Sequence, residues 1–186
     1  MLGASGGVGF AAVQLAKAMG AKVLAGIASP EKFELARQAG ADAVIDLSQP
    51  DLRDGLRAQV HDVTGGKGAD IILDPLGGDI FDAALRALAW CGRLVVIGFA
   101  AGRIPSIKAN YLLVKNIEVS GLQVSDYRKK TPEQVAACYS ELFAYYEAGK
   151  LKPAIGATLP LEKWADALHA IETRQARGRM VLTTGR

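Results

Sequence analysis

Cysteine, long apolar runs and a large charge of one sign are all scarce in this sequence. Only Cys91 and Cys138 occur among 186 residues, too few for a disulfide framework or a cysteine-rich zinc site. We expect both thiols to be reduced and buried in the core, which fits a cytoplasmic protein. No apolar stretch reaches the roughly 20 residues of a membrane span, and the N-terminus lacks the pattern of a signal peptide.

The charge balance does not indicate a nucleic-acid-binding protein. Twenty-two Lys and Arg residues against nineteen Asp and Glu leave a net charge of +3, and the basic residues are scattered. The densest basic run, 128–130, has one aromatic neighbour, Tyr127, and we interpret the run as a solvated loop. Half of the residues are apolar and 22% are charged, which is typical of a globular protein with a sizeable core.

Short aliphatic runs alternate with helical stretches in residues 1–131. The runs are almost continuously apolar, which indicates parallel strands buried on both faces of a sheet and joined by helical crossovers. We therefore predict the α/β class, as a doubly wound parallel sheet of the Rossmann type. The predicted strands are 23–27, 43–45, 71–73, 94–97 and 117–122, and the predicted helices are 10–19, 31–39, 52–64 and 81–88.

The alternation stops at Pro132. Residues 132–186 are predicted to hold two helices (132–148 and 161–173), a short extended piece at 151–155 and a last strand at 180–182. We expect this C-terminal tail to close the domain and to have its packing partner elsewhere.

A glycine-rich stretch opens the chain and leads directly into a helix. The sequence GASGGVG occupies residues 3–9. Glycines at this spacing let the backbone turn tightly and approach a pyrophosphate, while the N–H groups of the helix start face the phosphates. The stretch predicts dinucleotide binding, with a purely structural glycine turn as the alternative.

The end of the next strand indicates which dinucleotide binds. NAD-binding chains usually carry Asp or Glu about 20 residues after the glycines. This sequence has Ala28 and Ser29 there, and its first carboxylate is Glu31. A 2′-phosphate would meet no repulsion, Ser29 can donate a hydrogen bond to it and Lys32 can add positive charge. The pattern favours NADPH, although Lys32 taken alone is equally typical of an exposed helix residue.

Only Met1 and Leu2 precede the glycines, whereas a typical strand has about five to six residues. Either the central strand is nearly absent or the sequence begins inside a longer protein, and we expect the second.

Several motifs occur together in one order along the chain. They are GASGGVG at 3–9, SPEK at 29–32, GAD at 40–42, TGGKGAD at 64–70, DPLGG at 74–78, GRLVVIGF at 92–99, and, in the tail, KP at 152–153, LPLE at 159–162 and GRMVL at 178–182. As an ordered set they resemble the cofactor domain and C-terminal end of the zinc-independent quinone oxidoreductases, the zeta-crystallin-like branch of the medium-chain dehydrogenases/reductases.

This resemblance implies an enzyme that passes a hydride from NADPH to a quinone or another conjugated carbonyl compound without a metal. Family members also carry an N-terminal GroES-like domain that supplies much of the substrate cleft, so no residue here is assigned as catalytic. Enoyl or alkenal reduction, a catalytically inactive nucleotide-binding module and a chain completed by a partner are the alternatives. The family also implies a homodimer through the edge strand 117–122.

The resemblance further implies which residues contact the cofactor. Ser5, Gly6, Gly7 and Val8 should hold the pyrophosphate. Ala28, Ser29 and Lys32 should surround the 2′-phosphate, near Leu47, where many relatives have a tyrosine. Pro75 and Leu76 should line the path to the nicotinamide. Backbone of Gly98, Phe99, Ala100, Gly121 and Leu122 should face the carboxamide, although Phe99 is equally typical of a packed loop aromatic.

Three other polar residues are weaker candidates. His61 and His169 lack cysteine or carboxylate partners nearby in the sequence, so we expect structural roles. Asp74 follows a strand, at the edge where ligands gather, but capping its own loop is at least as good an interpretation.

Overall fold

A computed structural model describes residues 1–173, 175–176 and 178–185. Its first region contains two groups of parallel strands. In one group, β1 (Leu24–Ile27) pairs with β2 (Ala43–Asp46). In the other, β4 (Leu88–Val96) lies between β3 (Ala69–Asp74) and β5 (Glu118–Gly121). Parallel pairing throughout confirms the predicted α/β class.

Met1 and Leu2 join the two groups of strands. The Leu2 N–H donates to the Leu73 carbonyl oxygen at 3.0 Å, and the Gly26 N–H donates to the Met1 oxygen at 2.9 Å. Met1 and Leu2 thus lie between β1 and β3, at the place of the central strand of a doubly wound sheet. The chain reverses its direction across the sheet at this position, which is where open α/β sheets bind ligands.

Eight α-helices in the described residues connect and flank the strands. They are α1 (Gly7–Ala18), α2 (Phe33–Gln38), α3 (Leu52–Thr64), α4 (Gly78–Ala87), α5 (Ala109–Lys115), α6 (Val124–Lys130), α7 (Pro132–Glu147) and α8 (Trp164–Glu172). Short 3₁₀ turns, Pro30–Lys32 and Leu161–Lys163, precede α2 and α8. None of the helices in this part of the chain is long and apolar enough to cross a membrane.

Two apolar clusters form the core. One contains Val13, Ile27 and Ala36 and packs α1 and α2 on the sheet. The other contains Leu56 and Phe81 and packs α3 and α4 on it. A doubly wound sheet has helices packed against it in two separate apolar clusters, as found here.

The tail adds a separate pair of parallel strands, β6 (Ile155–Pro160) and β7 (Arg179–Thr183). Gln14 in the middle of α1 holds this pair. Its Nε2 donates to the Lys152 carbonyl oxygen at 2.9 Å, and the Lys152 N–H donates back to its Oε1 at 2.5 Å. The tail is therefore attached to the helix that follows the glycine-rich turn.

Some predictions from the sequence were wrong. Cys91 and Cys138 are both exposed, because Cys91 lies at a bend of β4 with a φ of 59° and α7 buries none of its residues. The basic run 128–130 is the last turn of α6 rather than a loop, and Lys130 contacts Asp126 one turn earlier at 3.0 Å. Helix α5 was not predicted, and the extended piece at 151–155 lies just before β6, which begins at Ile155.

Candidate cofactor-binding site

The glycine-rich residues form a tight turn between Leu2 and α1. Gly3 has a φ of +63°, and the Gly6 N–H donates to the Gly3 carbonyl oxygen at 3.1 Å. A Cβ atom on Gly9 would lie 2.2 Å from that same oxygen and 2.6 Å from the Ala4 Cα atom. Only glycine allows the first turn of α1 to pack this closely onto the chain that leads into it.

The start of α1 offers unpaired donors to solvent. The first N–H groups of a helix have no acceptor within it, and Gly6 at the N-cap makes no side-chain capping bond. Gly6, Gly7 and Val8 are exposed, and the first turn contains no acidic residue. Free N–H groups and the positive end of the helix dipole fit a phosphate group. Ser5, Gly6, Gly7 and Val8 therefore lie together at a turn that is a candidate site for an anion.

The ends of the parallel strands bring further predicted residues to the same edge of the sheet. The Ala100 N–H after β4 donates to the Pro75 carbonyl oxygen after β3 at 3.0 Å, and the Leu122 N–H after β5 donates to the Val96 oxygen at 2.9 Å. Leu76 lies against the glycine-rich turn, since a Cβ on Gly3 would be 3.1 Å from its side chain.

Asp74 shapes the loop that carries Pro75 and Leu76. Its carboxylate is fully buried at the end of β3 and accepts the N–H groups of Leu76 at 2.8 Å and Gly77 at 3.1 Å. Burial raises the pKa of Asp74, and the two backbone hydrogen bonds lower it only in part. The structure thus supports the loop-capping interpretation of this residue.

Three of the four residues predicted around the 2′-phosphate lie just after β1, whereas the fourth, Leu47, follows β2. Ala28 is exposed, Ser29 is half-buried, and Lys32 donates from Nζ to the Ala176 carbonyl oxygen of the tail at 3.4 Å. Leu47 buries its side chain in the core, with 5% of its surface exposed and its methyl groups against Gly26. The predicted place of the Leu47 side chain beside a phosphate is not supported, because an apolar side chain gains more from burial.

The residues predicted near the nicotinamide lie at the ends of β4 and β5. Gly98 is half-buried against Pro75, while Gly121 and Leu122 are exposed. The ring of Phe99 packs over Gly77, where a Cβ would be 3.1 Å from it, yet 43% of Phe99 remains exposed. Phe99 is therefore a packed loop aromatic with one open side, and the contacts of this group with a nicotinamide stay predictions.

Two residues near the glycine-rich turn were not predicted. Arg179, the first residue of β7, has Nη2 3.9 Å from the position of a Cβ on Gly7. Gln14 is a polar residue with 8% exposure in α1. A glutamine on the buried face of an amphipathic helix was the one sequence signal available, whereas Arg179 reaches the turn only through long-range packing.

The described residues contain no group of three or more His, Cys, Asp and Glu side chains placed to hold a metal ion. His61 and His169 lie in separate helices, α3 and α8.

Known proteins are similar to this chain. The sequence model of the zinc-binding dehydrogenases matches residues 7–141. A Nematostella vectensis quinone oxidoreductase-like protein 2 homolog is 37% identical over 97% of this chain and 49% of its own length. Among solved structures, a mycobacterial quinone oxidoreductase shares 30% identity with a TM-score of 0.85, covering 96% of this chain and 54% of that one. The Escherichia coli quinone oxidoreductase complexed with NADPH has a TM-score of 0.82, 30% identity and the same two coverages.

This chain spans about half the length of the curated relatives that it matches. The family match extends over most of the chain, and the structural match to the mycobacterial quinone oxidoreductase covers 96% of it. The chain belongs to the zinc-binding dehydrogenase family of medium-chain dehydrogenases/reductases, in the group that contains the quinone oxidoreductases.

Proposed function

We propose that this chain is the cofactor-binding portion of an NADPH-dependent reductase that transfers a hydride to a quinone or another conjugated carbonyl compound. The observation that carries the proposal is the exposed, acid-free start of α1 at the point where the sheet reverses direction. Solved relatives that are complexed with NADPH support the choice of cofactor.

The chain's own residues supply binding and orientation. The turn of Ser5, Gly6, Gly7 and Val8 holds the pyrophosphate through the free N–H groups at the start of α1, and Ser29 and Lys32 face the 2′-phosphate. The loops after β3, β4 and β5 border the nicotinamide end. When bound, NADPH supplies the hydride, and the protein determines where it is presented.

Further parts of the proposal concern the whole protein. Residues 1–131 form the dinucleotide-binding domain, and residues 132–186 close it and pack on a catalytic domain that completes the substrate cleft. The enzyme is zinc-independent and cytoplasmic, and it forms a homodimer through strand 117–122. In the described residues β5 pairs only with β4, which supports such an edge contact.

Cofactor selectivity can be tested by fluorescence titration with NADPH and NADH. Wild-type protein should bind NADPH more tightly. Lys32→Met should weaken NADPH binding by about tenfold, the usual effect of losing one charge-assisted hydrogen bond, and should leave NADH binding unchanged. Arg37→Met, on α2 and in an exposed pair with Glu34, is the control for a lost positive charge. Equal loss for both nucleotides would contradict the role of Lys32.

Turnover distinguishes the proposal from its alternatives. Oxidation of NADPH with a simple quinone supports the reductase, and preference for an enoyl thioester or an alkenal identifies the related reductases. Tight NADPH binding without turnover by the full-length protein indicates a nucleotide-binding module.

A further inference from the structure

A basic cavity lies at the edge of the sheet away from the candidate cofactor site. Arg86 lies in the last turn of α4, just before β4 starts, and Lys115 ends α5, shortly before β5 starts. Parallel strands all start at one edge of a sheet, so this edge is opposite the strand ends that carry the predicted cofactor residues. The cavity has a volume of about 370 Å³ and is lined by Arg57, Arg86, Asn110, Tyr111, Val114 and Lys115.

Two of the three cationic side chains in this cavity are held in place by hydrogen bonds. The Lys115 ammonium donates to the carbonyl oxygens of Arg86 at 2.8 Å and Leu88 at 3.1 Å. The Arg86 guanidinium donates from Nη2 to the Asp54 carboxylate at 3.0 Å. Both cations are half-buried, so their positions are set by the fold before any ligand arrives.

The three cations have more hydrogen-bond donors than the fold supplies acceptors. Arg57 is exposed and forms no ion pair with any of the described residues. The Nε atom of Arg86 is buried and has no hydrogen-bond partner. An ammonium has three N–H donors, of which Lys115 uses two. Donors that remain without acceptors at a half-buried place are unfavourable, and an anion in the cavity would provide acceptors.

The charges around the cavity do not balance. Burial lowers the pKa of Lys115, and the neighbouring charges of Arg57 and Arg86 lower it further. None of the six lining residues is acidic. Asp54, which contacts Arg86 from outside the lining and is itself exposed, is the carboxylate that offsets this charge. Three cations and one carboxylate leave a surplus of two positive charges, which suits a dianion.

We propose that this cavity binds a phosphate group, as inorganic phosphate or as the phosphate monoester of a small molecule, through Arg57, Arg86 and Lys115. A phosphate monoester is close to a dianion at neutral pH and has three acceptor oxygens, and a guanidinium can contact two of them at once. Asn110 and Tyr111 can contact the rest of an ester. The inference goes beyond the proposed function and does not depend on it, because the cavity lies at the opposite edge of the sheet.

Isothermal titration calorimetry with inorganic phosphate, at an ionic strength kept constant with chloride, tests the proposal. A saturating concentration of NADPH fills the candidate cofactor site during the titration. Arg57→Met should bind phosphate about tenfold more weakly than wild type, the loss expected for one charge-assisted contact, and Arg57→Lys should recover part of the affinity. Arg37→Met, which removes an exposed cation on α2, should bind phosphate like wild type.

Asp54→Asn should change the affinity in the opposite direction. It removes the negative charge beside Arg86 and keeps an oxygen that can accept from the guanidinium, so phosphate should bind several-fold more tightly. A general loss of stability would not strengthen binding. Thermal unfolding of each variant identifies any loss of binding that comes from misfolding.

The remaining outcomes separate the two sources of phosphate and the two proposals. Tighter binding of glucose 6-phosphate than of inorganic phosphate would assign the cavity to a monoester, and the reverse order would assign it to the free ion. Absence of phosphate binding, displacement of phosphate by NADPH, or equal affinity of wild type and Arg57→Met would overturn the inference. Failure of the folded protein to bind NADPH would overturn the proposed function, while the comparison of wild type with Arg57→Met would still decide this one.

Discussion

At the scale of single residues, Asp74 shows how a buried carboxylate can serve a loop rather than a reaction. Its oxygens accept two backbone N–H groups of the loop that borders the site. The same burial raises its pKa, so the ionised form carries a cost in the folded protein that the hydrogen bonds only partly offset. Removing the charge and removing the acceptor should therefore have different effects.

We predict that Asp74→Asn is more stable than Asp74→Ala. Asparagine keeps an acceptor for the loop, whereas alanine leaves buried N–H groups without one, at about 1–3 kcal/mol. Urea unfolding of both variants at neutral pH measures this difference.

The pH dependence of the Asp74→Asn effect follows from the raised pKa. Between the unfolded and folded pKa values of Asp74 the folded state binds more protons, so wild-type stability falls as pH rises through that window. Asp74→Asn lacks this contribution. Its stability relative to wild type should improve as pH rises from acid towards neutral, and a constant difference would contradict the pKa assignment.

Much of the geometry of the candidate site could be predicted at this scale, and the exceptions have physical causes. The glycine-rich turn and the missing carboxylate after β1 are local patterns, because both follow from what a backbone segment can approach. Leu47 could not be placed correctly, since whether its side chain faces the core or the groove depends on the packing of Gly26 and Leu2. The position of Arg179 near the turn could not be predicted either, because it depends on the parallel pairing of β6 and β7, which are far from the turn in the sequence.

At the scale of elements, the position of α1 depends on one close contact. Gly9 brings the first turn of the helix onto Gly3 and Ala4, and the atoms that a Cβ would meet are backbone atoms. Backbone cannot rotate away as a side chain can, so the helix start itself would have to move.

We therefore predict that Gly9→Ala destabilises the protein and weakens NADPH binding more than Gly6→Ala does. A Cβ on Gly6 would meet only the Gly3 oxygen, at an ordinary 3.5 Å. Overpacking of this kind costs about 1–3 kcal/mol or more, to be measured by urea unfolding alongside nucleotide titration. Equal stability and equal NADPH affinity of the two variants would show that the turn has room for a Cβ atom at Gly9.

The order of elements was largely predictable, whereas some of their ends were not. Strands β1 to β4 each contain a short aliphatic run with glycine, proline or aspartate close to its ends, which local chemistry identifies. Helix α5 was missed because it is short and buries none of its residues. The sequence predicts a loop at 128–130 because three successive basic residues are typical of a solvated segment. The ion pair of Lys130 with Asp126, one helical turn earlier, is visible only in the structure.

At the scale of the whole molecule, the first residues of the chain link the two groups of strands. Met1 and Leu2 bridge β1 and β3, and next to them a cavity of about 720 Å³ lies between the two strands. This cavity, lined mainly by apolar residues such as Leu24 and Ile71, is the larger of two prominent cavities in the described residues and is separate from the predicted cofactor residues. Size alone would select this cavity, whereas the helix start and the strand ends favour the edge of the sheet that carries the predicted cofactor residues.

Helix α8 makes the predicted contact of the tail with a further domain testable. Trp164, Leu168 and Ile171 recur at one helical face, and each is more than half exposed, whereas Ala167, which lies about 100° round the helix from Leu168, is buried at 3%. A charged residue is tolerated on an exposed face and not at a buried one. The two neighbouring positions therefore report separately on a buried and an exposed position of one helix.

We predict that Leu168→Glu leaves the urea unfolding of the 186-residue chain within about 0.5 kcal/mol of wild type, while Ala167→Glu unfolds it or lowers its stability by several kcal/mol. In the full-length protein Leu168→Glu should become destabilising, because the proposed catalytic domain covers this face. A large loss of stability for Leu168→Glu in the 186-residue chain would mean that this face is already covered in solution. If that loss disappeared on dilution, a second copy would be the cover, since only association depends on protein concentration.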